Sequence, residues 1–373
     1  MQKLFSNLMN LCEEDRTKFY YTDTKVSIDK TARIFNYNYA SYSDWLKPDA
    51  LECRGIMFEI DNEQNPVRIL SRPMPKFFNI GENPFTLDLD FSKVDYLMEK
   101  ADGSLISSYV IDDYAYFKSK GSVQSDQSYE ANRLLNSEEY SDIRSIIKDS
   151  PDTTFNFEYV APENRIVLQY DKPELILLNA RDNETGKYVP YEDLEKHPVT
   201  RKYLVKRYKA TGDWYTKAKE SVGVEGYVGV MLDGLWFKVK SDWYISLHRT
   251  KDSITSNENL FEAVVASSSD DLKSMFYGDD WAIAKIEAFE KTHLEELQKQ
   301  VQILLDVYTE LRDSGCDRKS FALNGQVKLK EYPQLFSILM QTYTNGFDYE
   351  TVIGKIDDMF LKYYEKYIPK EYK

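Results

Sequence analysis

The stretch VDYLMEKADG, residues 94–103, places Lys100 at the end of an apolar, strand-like run and two residues before an Asp-Gly step. The uncharged amine of a lysine can attack the α-phosphorus of a nucleotide and carry the nucleotide as an activated phosphoramidate. The Asp102-Gly103 step predicts a tight turn, often with positive φ, that a Cβ would obstruct. A surface hairpin turn with a solvated Lys100 is the alternative interpretation of these residues taken alone.

The composition predicts a soluble, two-domain protein. Its 373 residues are 42% hydrophobic and 29% charged, and no apolar run is long enough for a signal peptide or a membrane span. Three cysteines and three histidines are far apart in sequence, which argues for a reducing cytoplasm and against structural zinc. A net charge of −14 disfavours loose adhesion to polynucleotides, although a local basic cluster can still bind phosphate.

Alternating patterns predict several strands before residue 245. Residues 32–39 and 155–160 each place aromatic side chains on one face, and the second run carries Glu158 on the other. Residues 114–122 predict a strand that ends in a turn, with Lys118 and Lys120 on one face of the strand. The apolar run 175–180 predicts a central strand.

A hairpin is predicted for residues 224–240, with Asp233-Gly234 at its turn and Lys238 and Lys240 on one face. Helical periodicity appears at residues 4–11, 128–135, 141–148, 281–311, 335–343 and 349–364. Strand patterns disappear beyond about residue 246. The sequence therefore predicts an α+β chain with a mixed domain over residues 1–245 and a helical domain over residues 246–373.

Four features stand in a fixed order along the first domain: Lys100 in Lys-x-Asp-Gly, Glu158, Glu225-Gly226 and the Lys238-x-Lys240 pair. Together they resemble the ordered motifs of covalent nucleotidyltransferases, which include ATP-dependent DNA ligases, RNA ligases and mRNA capping enzymes. The segments ECRG (52–55), PKFFN (75–79), KSKGS (118–122) and FKVKSDWY (237–244) resemble more closely the RNA ligase 1 family of tailed phages, the tRNA-repair ligases.

This resemblance implies a nucleotidyltransferase domain of antiparallel sheets with flanking helices, followed by an all-α domain that selects the RNA. It also implies that Lys100 attacks ATP and carries AMP, while Lys238 and Lys240 neutralise the α-phosphate. The other residues expected at the ATP site are Tyr37, Arg54, Lys76, Lys118, Lys120 and Glu158, of which Arg54 and Lys76 hold the leaving pyrophosphate and Glu158 binds the ribose.

Magnesium, or manganese in its place, is the expected metal. Glu225 is expected to face a metal ion or the attacking groups. Asp270, in the segment SDDLK (269–273), is expected to hold a second ion, and a helix N-cap is the alternative interpretation of that residue.

The expected partner is RNA, in particular a tRNA broken in its anticodon loop, with a polynucleotide kinase-phosphatase as a functional companion. A monomer in the cytoplasm, that of the host for a phage-encoded protein, is expected, with no membrane association. A DNA ligase or a capping guanylyltransferase is the alternative, but those enzymes usually follow Lys-x-Lys with a β-rich OB domain. A non-catalytic RNA-binding relative would be expected to have lost one of the motif residues.

Overall fold

Antiparallel sheets occupy the first two thirds of the chain, and helices occupy the rest. The structure, a computed structural model, describes residues 1–164, 168, 170–248, 254–276 and 279–373. The chain divides into two compact units, Met1–Thr250 and Lys251–Lys373. These features confirm the predicted α+β class.

The first unit contains three sheets. Their orders are β1-β2-β3-β4, β10-β9-β7-β8 and β11-β6-β12-β13-β5, and every pairing is antiparallel except that of β13 with β5. The strands are β1 Phe19–Lys25, β2 Thr31–Tyr37, β3 Ile56–Ile60, β4 Pro66–Ser71, β5 Phe78–Asn79, β6 Val94–Lys100, β7 Ser104–Ile111, β8 Tyr114–Ser119, β9 Thr153–Val160, β10 Glu174–Asp182, β11 Arg207–Lys209, β12 Gly226–Met231 and β13 Trp236–Lys240.

Helices flank these sheets in the first unit. They are α1 Gln2–Glu14, α2 Tyr42–Trp45, α3 Asp126–Leu135, α4 Ser141–Asp149, α5 Tyr191–Lys196, α6 Thr200–Tyr203, α7 Trp214–Glu220 and α8 Asp242–His248. One face of β9 packs Phe155, Phe157 and Tyr159 into a core with α3 and α4, as the alternation predicts. Its other face leaves Glu158 available to a cavity.

Strand β10 lies at the edge of its sheet, so the prediction of a central strand at residues 175–180 is wrong. The apolar run has another cause, because both faces of the strand are covered. Leu175 and Leu177 pack into the core beneath α3 and α4, while Ile176 and Leu178 pack against Met98 and its neighbours on β6 and β12.

The second unit is helical throughout the parts that the structure describes. Its helices are α9 Asn257–Val265, α10 Ser269–Met275, α11 Asp280–Asp313, α12 Arg318–Lys328, α13 Phe336–Asn345 and α14 Tyr349–Lys362. Helix α11 begins at the N-cap Asp279, whose side chain accepts a hydrogen bond from the backbone N of Ala282, and its 34 residues span about 51 Å. The three helices predicted at residues 281–311, 335–343 and 349–364 are confirmed with small changes at their ends.

No helix among the described residues is both long and apolar enough to cross a lipid bilayer.

Candidate active site

Lys100 ends strand β6 at the rim of a cavity of about 260 Å³. The lining side chains come from all three sheets and the loops between them. Of the predicted site residues, the cavity brings together Tyr37, Arg54, Lys76, Lys100, Glu158 and Lys238. Its apolar part includes Met74, Phe77, Leu105, Leu178 and Val228.

Glu225 bridges two of the predicted lysines. Its Oε2 accepts a hydrogen bond of 2.7 Å from Lys100 Nζ, and its Oε1 lies 3.1 Å from Lys240 Nζ. The sheet explains this contact, since Gly226 on β12 is paired with Lys100 on one side and with Lys240 on the other. The carboxylate just before Gly226 therefore falls between two lysines that are 140 residues apart in sequence.

The charge of Glu225 is fixed by these neighbours. Burial raises the pKa of this carboxyl, but the attraction and hydrogen bonds of Lys100 and Lys240 outweigh it, so the pKa lies below its usual value. A buried carboxylate that stays ionised between two ammonium groups orients both of them. Gly226 is required here, because its φ is +150° and an added Cβ would lie 2.1 Å from the carbonyl oxygen of Val239.

The Asp102-Gly103 step holds the turn after Lys100. Asp102 is buried, and its Oδ1 accepts from the hydroxyl of Tyr244 at 2.9 Å while its Oδ2 accepts from the backbone N of Leu168 at 2.6 Å. Gly103 does not have positive φ, so that expectation is wrong. Glycine is needed for a different reason: a Cβ at this position would lie 2.3 Å from the carbonyl oxygen of Tyr159.

Two loops carry Arg54 and Lys76 to the cavity. Arg54 Nη1 donates to the carbonyl of Met74 at 3.2 Å, and the backbone N of Lys76 donates to the carbonyl of Leu51 at 2.8 Å. Each loop is thus tied to the other through its backbone. Both side chains line the cavity.

A buried ion-pair network below these loops was not predicted from the sequence. Glu52 pairs with Arg72 at 3.1 Å and with Arg181 at 2.6 Å. Arg181 also donates to the carbonyl of Pro73 at 2.7 Å, which fixes the loop that leads to Lys76. The sequence signal available for this network was a charged residue, Arg181, directly after the apolar run 175–180. Its partner, Glu52, lies 129 residues away in sequence.

Tyr37 reports a positive potential in the cavity. The Nζ atoms of Lys76 and Lys120 lie 5.4 and 5.2 Å from the centre of its ring. Burial raises the pKa of Tyr37, but Lys76, Lys120, Arg54 and Lys238 together lower it to about 7. An environment that stabilises a phenolate to this degree is suited to phosphate groups.

The pKa of Glu158 is shifted upward, whereas that of Tyr37 is shifted downward. Burial raises the pKa of its carboxyl to about 7, Lys100 opposes this shift and Glu225 adds to it. The side chain therefore changes its protonation state near neutral pH, and in either state it has an oxygen that can accept a hydrogen bond.

Of Lys118 and Lys120, only Lys118 belongs to strand β8, so the alternation from which a shared face was predicted does not extend to Lys120. Strand β8 ends at Ser119, which leaves Lys120 exposed in the following turn. Lys118 is fully buried, and its Nζ donates to the carbonyl of Ser119 at 3.0 Å. An added Cβ on Gly55 would lie 3.3 Å from this Nζ, so Lys118 supports the segment that carries Arg54.

Asp270 lies in the second unit, in the first turn of α10. The N-cap of that helix is Ser268, and Asp270 Oδ1 accepts from the backbone N of Asp271 at 3.1 Å. Within the described ranges, no group of three or more His, Cys, Asp or Glu side chains is arranged to hold a metal ion.

Two family models match the chain. One, described as RNA ligase, matches residues 52–244, and the other, described as T4 RNA ligase 1, C-terminal domain, matches residues 251–372.

Three relatives align with much of the chain. A protein of Thermovibrio ammonificans, whose name describes it as a candidate RNA ligase, is 28% identical over 308 residues, which are 79% of this chain and 75% of that protein. A protein of Autographa californica nuclear polyhedrosis virus, named as a candidate bifunctional polynucleotide kinase/RNA ligase, is 26% identical over 302 residues, or 74% of this chain and 41% of the relative. RNA ligase 1 of bacteriophage TS2126 is 26% identical over 260 residues, 66% of this chain and 63% of that one.

Proposed function

Because the chain belongs to the RNA ligase family, we propose that it joins RNA 5′-phosphate and 3′-hydroxyl ends in a reaction driven by ATP. The family models that match its two parts are both of the T4 RNA ligase 1 type. AMP is carried on Lys100 and then on the RNA 5′-phosphate before the 3′-hydroxyl attacks. The observation that carries this proposal is the contact of Lys100 with Glu225 and, through it, with Lys240, beside a cavity lined by cations.

The first step forms a bond between Lys100 Nζ and the α-phosphorus of ATP and breaks the bond to pyrophosphate. Lys100 must lose a proton to act as a nucleophile. Glu225 Oε2 already accepts a hydrogen bond from this amine at 2.7 Å, and it orients the Nζ at the rim of the cavity. The Lys100 side chain is 24% exposed, so its proton can pass to water, and the Glu225 carboxylate and the Lys240 ammonium remain as an ion pair with no net charge.

The cations of the cavity serve the phosphates. Lys238 and Lys240 neutralise the charge that develops on the α-phosphate, while Arg54 and Lys76 hold the leaving pyrophosphate. The lowered pKa of Tyr37 supports this assignment, because the cations that lower it, Lys76 and Arg54 among them, would also attract phosphate. Tyr37, Lys118 and Lys120 complete the ATP site, and Glu158 accepts hydrogen bonds from the ribose.

A divalent metal ion, Mg²⁺ or Mn²⁺, would offset the negative charge of the displaced phosphates. Glu225 fits such an ion once Lys100 carries AMP, since the phosphoramidate nitrogen no longer bears a positive charge and Oε2 becomes a hard oxygen ligand. Asp270 as the holder of a second ion rests on the family resemblance.

The same groups serve the later transfers, because each is a displacement at phosphorus with a similar charge distribution. We assign adenylation to residues 1–245 and the choice of RNA to residues 246–373. A broken tRNA is the proposed substrate, and a kinase-phosphatase that prepares its ends is the proposed companion. The viral relative named for both polynucleotide kinase and RNA ligase supports the kinase part of this pairing. We also propose a monomer in the cytoplasm, and the three free cysteines are in keeping with a reducing compartment.

The test compares two RNA substrates with the wild type and Lys100→Ala. Wild-type protein should join 5′-phosphorylated RNA when ATP is present, and Lys100→Ala should not. With RNA that already carries 5′-AMP, Lys100→Ala should retain joining, because the adenylate no longer has to pass through the lysine. Joining of 5′-phosphorylated RNA by Lys100→Ala would contradict the proposal.

A further inference from the structure

One segment of this acidic protein is basic and contains no acidic residues. Residues 196–212 contain six Lys and Arg residues and no Asp or Glu, although the net charge of the chain is −14. We use the name basic strip for Lys196, Arg201, Lys206 and Lys209, which are the exposed cations of this segment that have no strong ion pair in the described structure. Clustered cations of this kind create a local positive potential that attracts polyanions.

Two other cations of the segment are already neutralised. Lys202 pairs with Asp142, and Arg207 pairs with Glu192 and, at 3.4 Å, with Glu195. The cations of the basic strip differ from these two. Lys206 is 76% exposed and reaches only Glu99, at 4.0 Å, while Lys196, Arg201 and Lys209 form no ion pair within 4.0 Å with any described residue.

The fold places this strip beside the reacting lysine. Strand β11 is the edge strand of its sheet and pairs with β6, which ends at Lys100. The backbone N of Glu99 donates to the carbonyl of Lys206 at 2.9 Å, so Lys206 is bound to the residue next to Lys100. Among the described strands β11 pairs only with β6, and Lys206 and Lys209, at the start and end of this edge segment, are exposed.

An exposed aromatic side chain lies within the strip. Tyr208 is 41% exposed, and its hydroxyl donates to Glu99 Oε2 at 3.1 Å, which holds the side chain at the cavity rim. Its ring packs edge-on against Tyr227 with centroids 5.7 Å apart. Cations that follow a phosphate backbone, combined with an aromatic ring on which a base can stack, form the common arrangement for binding single-stranded nucleic acid.

We propose that the basic strip binds the phosphate backbone of the RNA beside the ends that are joined at Lys100, with a base stacked on Tyr208. The inference rests on the proposed function, because it is the chemistry at Lys100 that brings RNA to this edge. Contacts to phosphate and stacking carry no sequence information, so this surface binds RNA of any sequence. A single-stranded RNA offers this segment both the phosphates that exposed cations attract and the bases that stack on an exposed aromatic ring.

The test uses the full chain with Lys206→Glu and Lys209→Glu combined. Binding of a fluorescent, 5′-phosphorylated single-stranded RNA is measured by anisotropy at several salt concentrations. We expect affinity to fall at least about tenfold, and the slope of log affinity against log salt to become shallower by about 0.7 for each phosphate that the variant no longer neutralises. Formation of lysyl-AMP from ATP without RNA should match the wild type, which also shows that the variant is folded.

Two matched comparisons make the result specific. Lys25→Glu reverses one charge at an exposed position on β1, as the single variant Lys206→Glu does within the strip, and unlike Lys206→Glu it should leave RNA affinity unchanged. Tyr208→Ala should weaken binding several-fold, whereas Tyr208→Phe, which keeps the ring and removes the hydrogen bond to Glu99, should not.

Unchanged RNA affinity in the double variant, or an equal loss with Lys25→Glu, would overturn the assignment of the strip. Equal losses in both Tyr208 variants would overturn the stacking role. These results would leave the proposed function intact, provided that the wild type still forms lysyl-AMP. Failure of the wild type to form lysyl-AMP would refute the proposed function itself.

Discussion

Replacing Glu158 by glutamine should change the pH dependence of stability: the free energy of unfolding of the variant, relative to that of the wild type, should be higher at high pH than at low pH. Burial raises the pKa of this carboxyl to about 7, whereas an exposed glutamate titrates near about 4.3. The folded protein therefore binds a proton at Glu158 that the unfolded chain releases in this window. The contribution of Glu158 to stability falls as the pH rises from about 4.3 to about 7 and is constant above that range.

The size of the effect follows from these two values. A difference of between two and three pKa units is worth about 3–4 kcal/mol when the carboxyl is fully ionised, and roughly 2–3 kcal/mol of this appears between pH 5 and pH 8. Glu158→Gln removes the titrating group, so its free energy of unfolding relative to the wild type should rise by about 2–3 kcal/mol over that interval. Any cost of altered hydrogen bonds is independent of pH and cancels in this difference.

Urea unfolding at pH 5 and pH 8, followed by tryptophan fluorescence, measures the difference. The signal comes mainly from the first unit, which contains Trp45, Trp214, Trp236 and Trp243. Glu63→Gln makes the same chemical change at an exposed position and serves as the control. If the relative stability of Glu158→Gln differs by less than about 0.5 kcal/mol between the two pH values, the burial argument for this carboxyl is refuted.

Three further predictions concern the site and the second unit. Lys238→Ala and Lys240→Ala should each slow lysyl-AMP formation on the order of 10²-fold or more, as loss of one preorganised donor does, and rates within about threefold of wild type for both would contradict their role. Gly103→Ala should lower the urea midpoint, because its Cβ would lie 2.3 Å from a carbonyl oxygen of β9, whereas Gly354→Ala has open space and should not. A chain that ends near residue 250 should still form lysyl-AMP but lose its preference for a nicked anticodon-loop RNA over generic single-stranded RNA, and an unchanged ratio of the two would contradict this.

Local patterns predicted much of the fold because the side chains of a strand alternate between its faces. The alternation at residues 155–160 correctly separated the aromatic core face of β9 from Glu158, and the Asp-Gly turn correctly marked the hairpin that carries Lys238 and Lys240. The order of motifs along the chain likewise indicated which residues meet at the cavity.

Features set by contacts between distant segments could not be predicted in this way. The apolar run 175–180 could not distinguish a central strand from an edge strand covered on both faces. The contact of Glu52 with Arg181 joins residues 129 positions apart, and no local pattern pairs them. The sequence predicted that Gly103 is needed because its φ is positive, whereas the structure requires a glycine there because β9 approaches it closely.

The central claim, that Lys100 carries AMP, is tested most directly by intact mass spectrometry after incubation with ATP and Mg²⁺ in the absence of RNA. We expect a species heavier by one adenylyl group, an acid-labile adduct that peptide mapping assigns to Lys100, and no such species for Lys100→Ala. An adduct that persists in Lys100→Ala, or that maps to another residue, would contradict it.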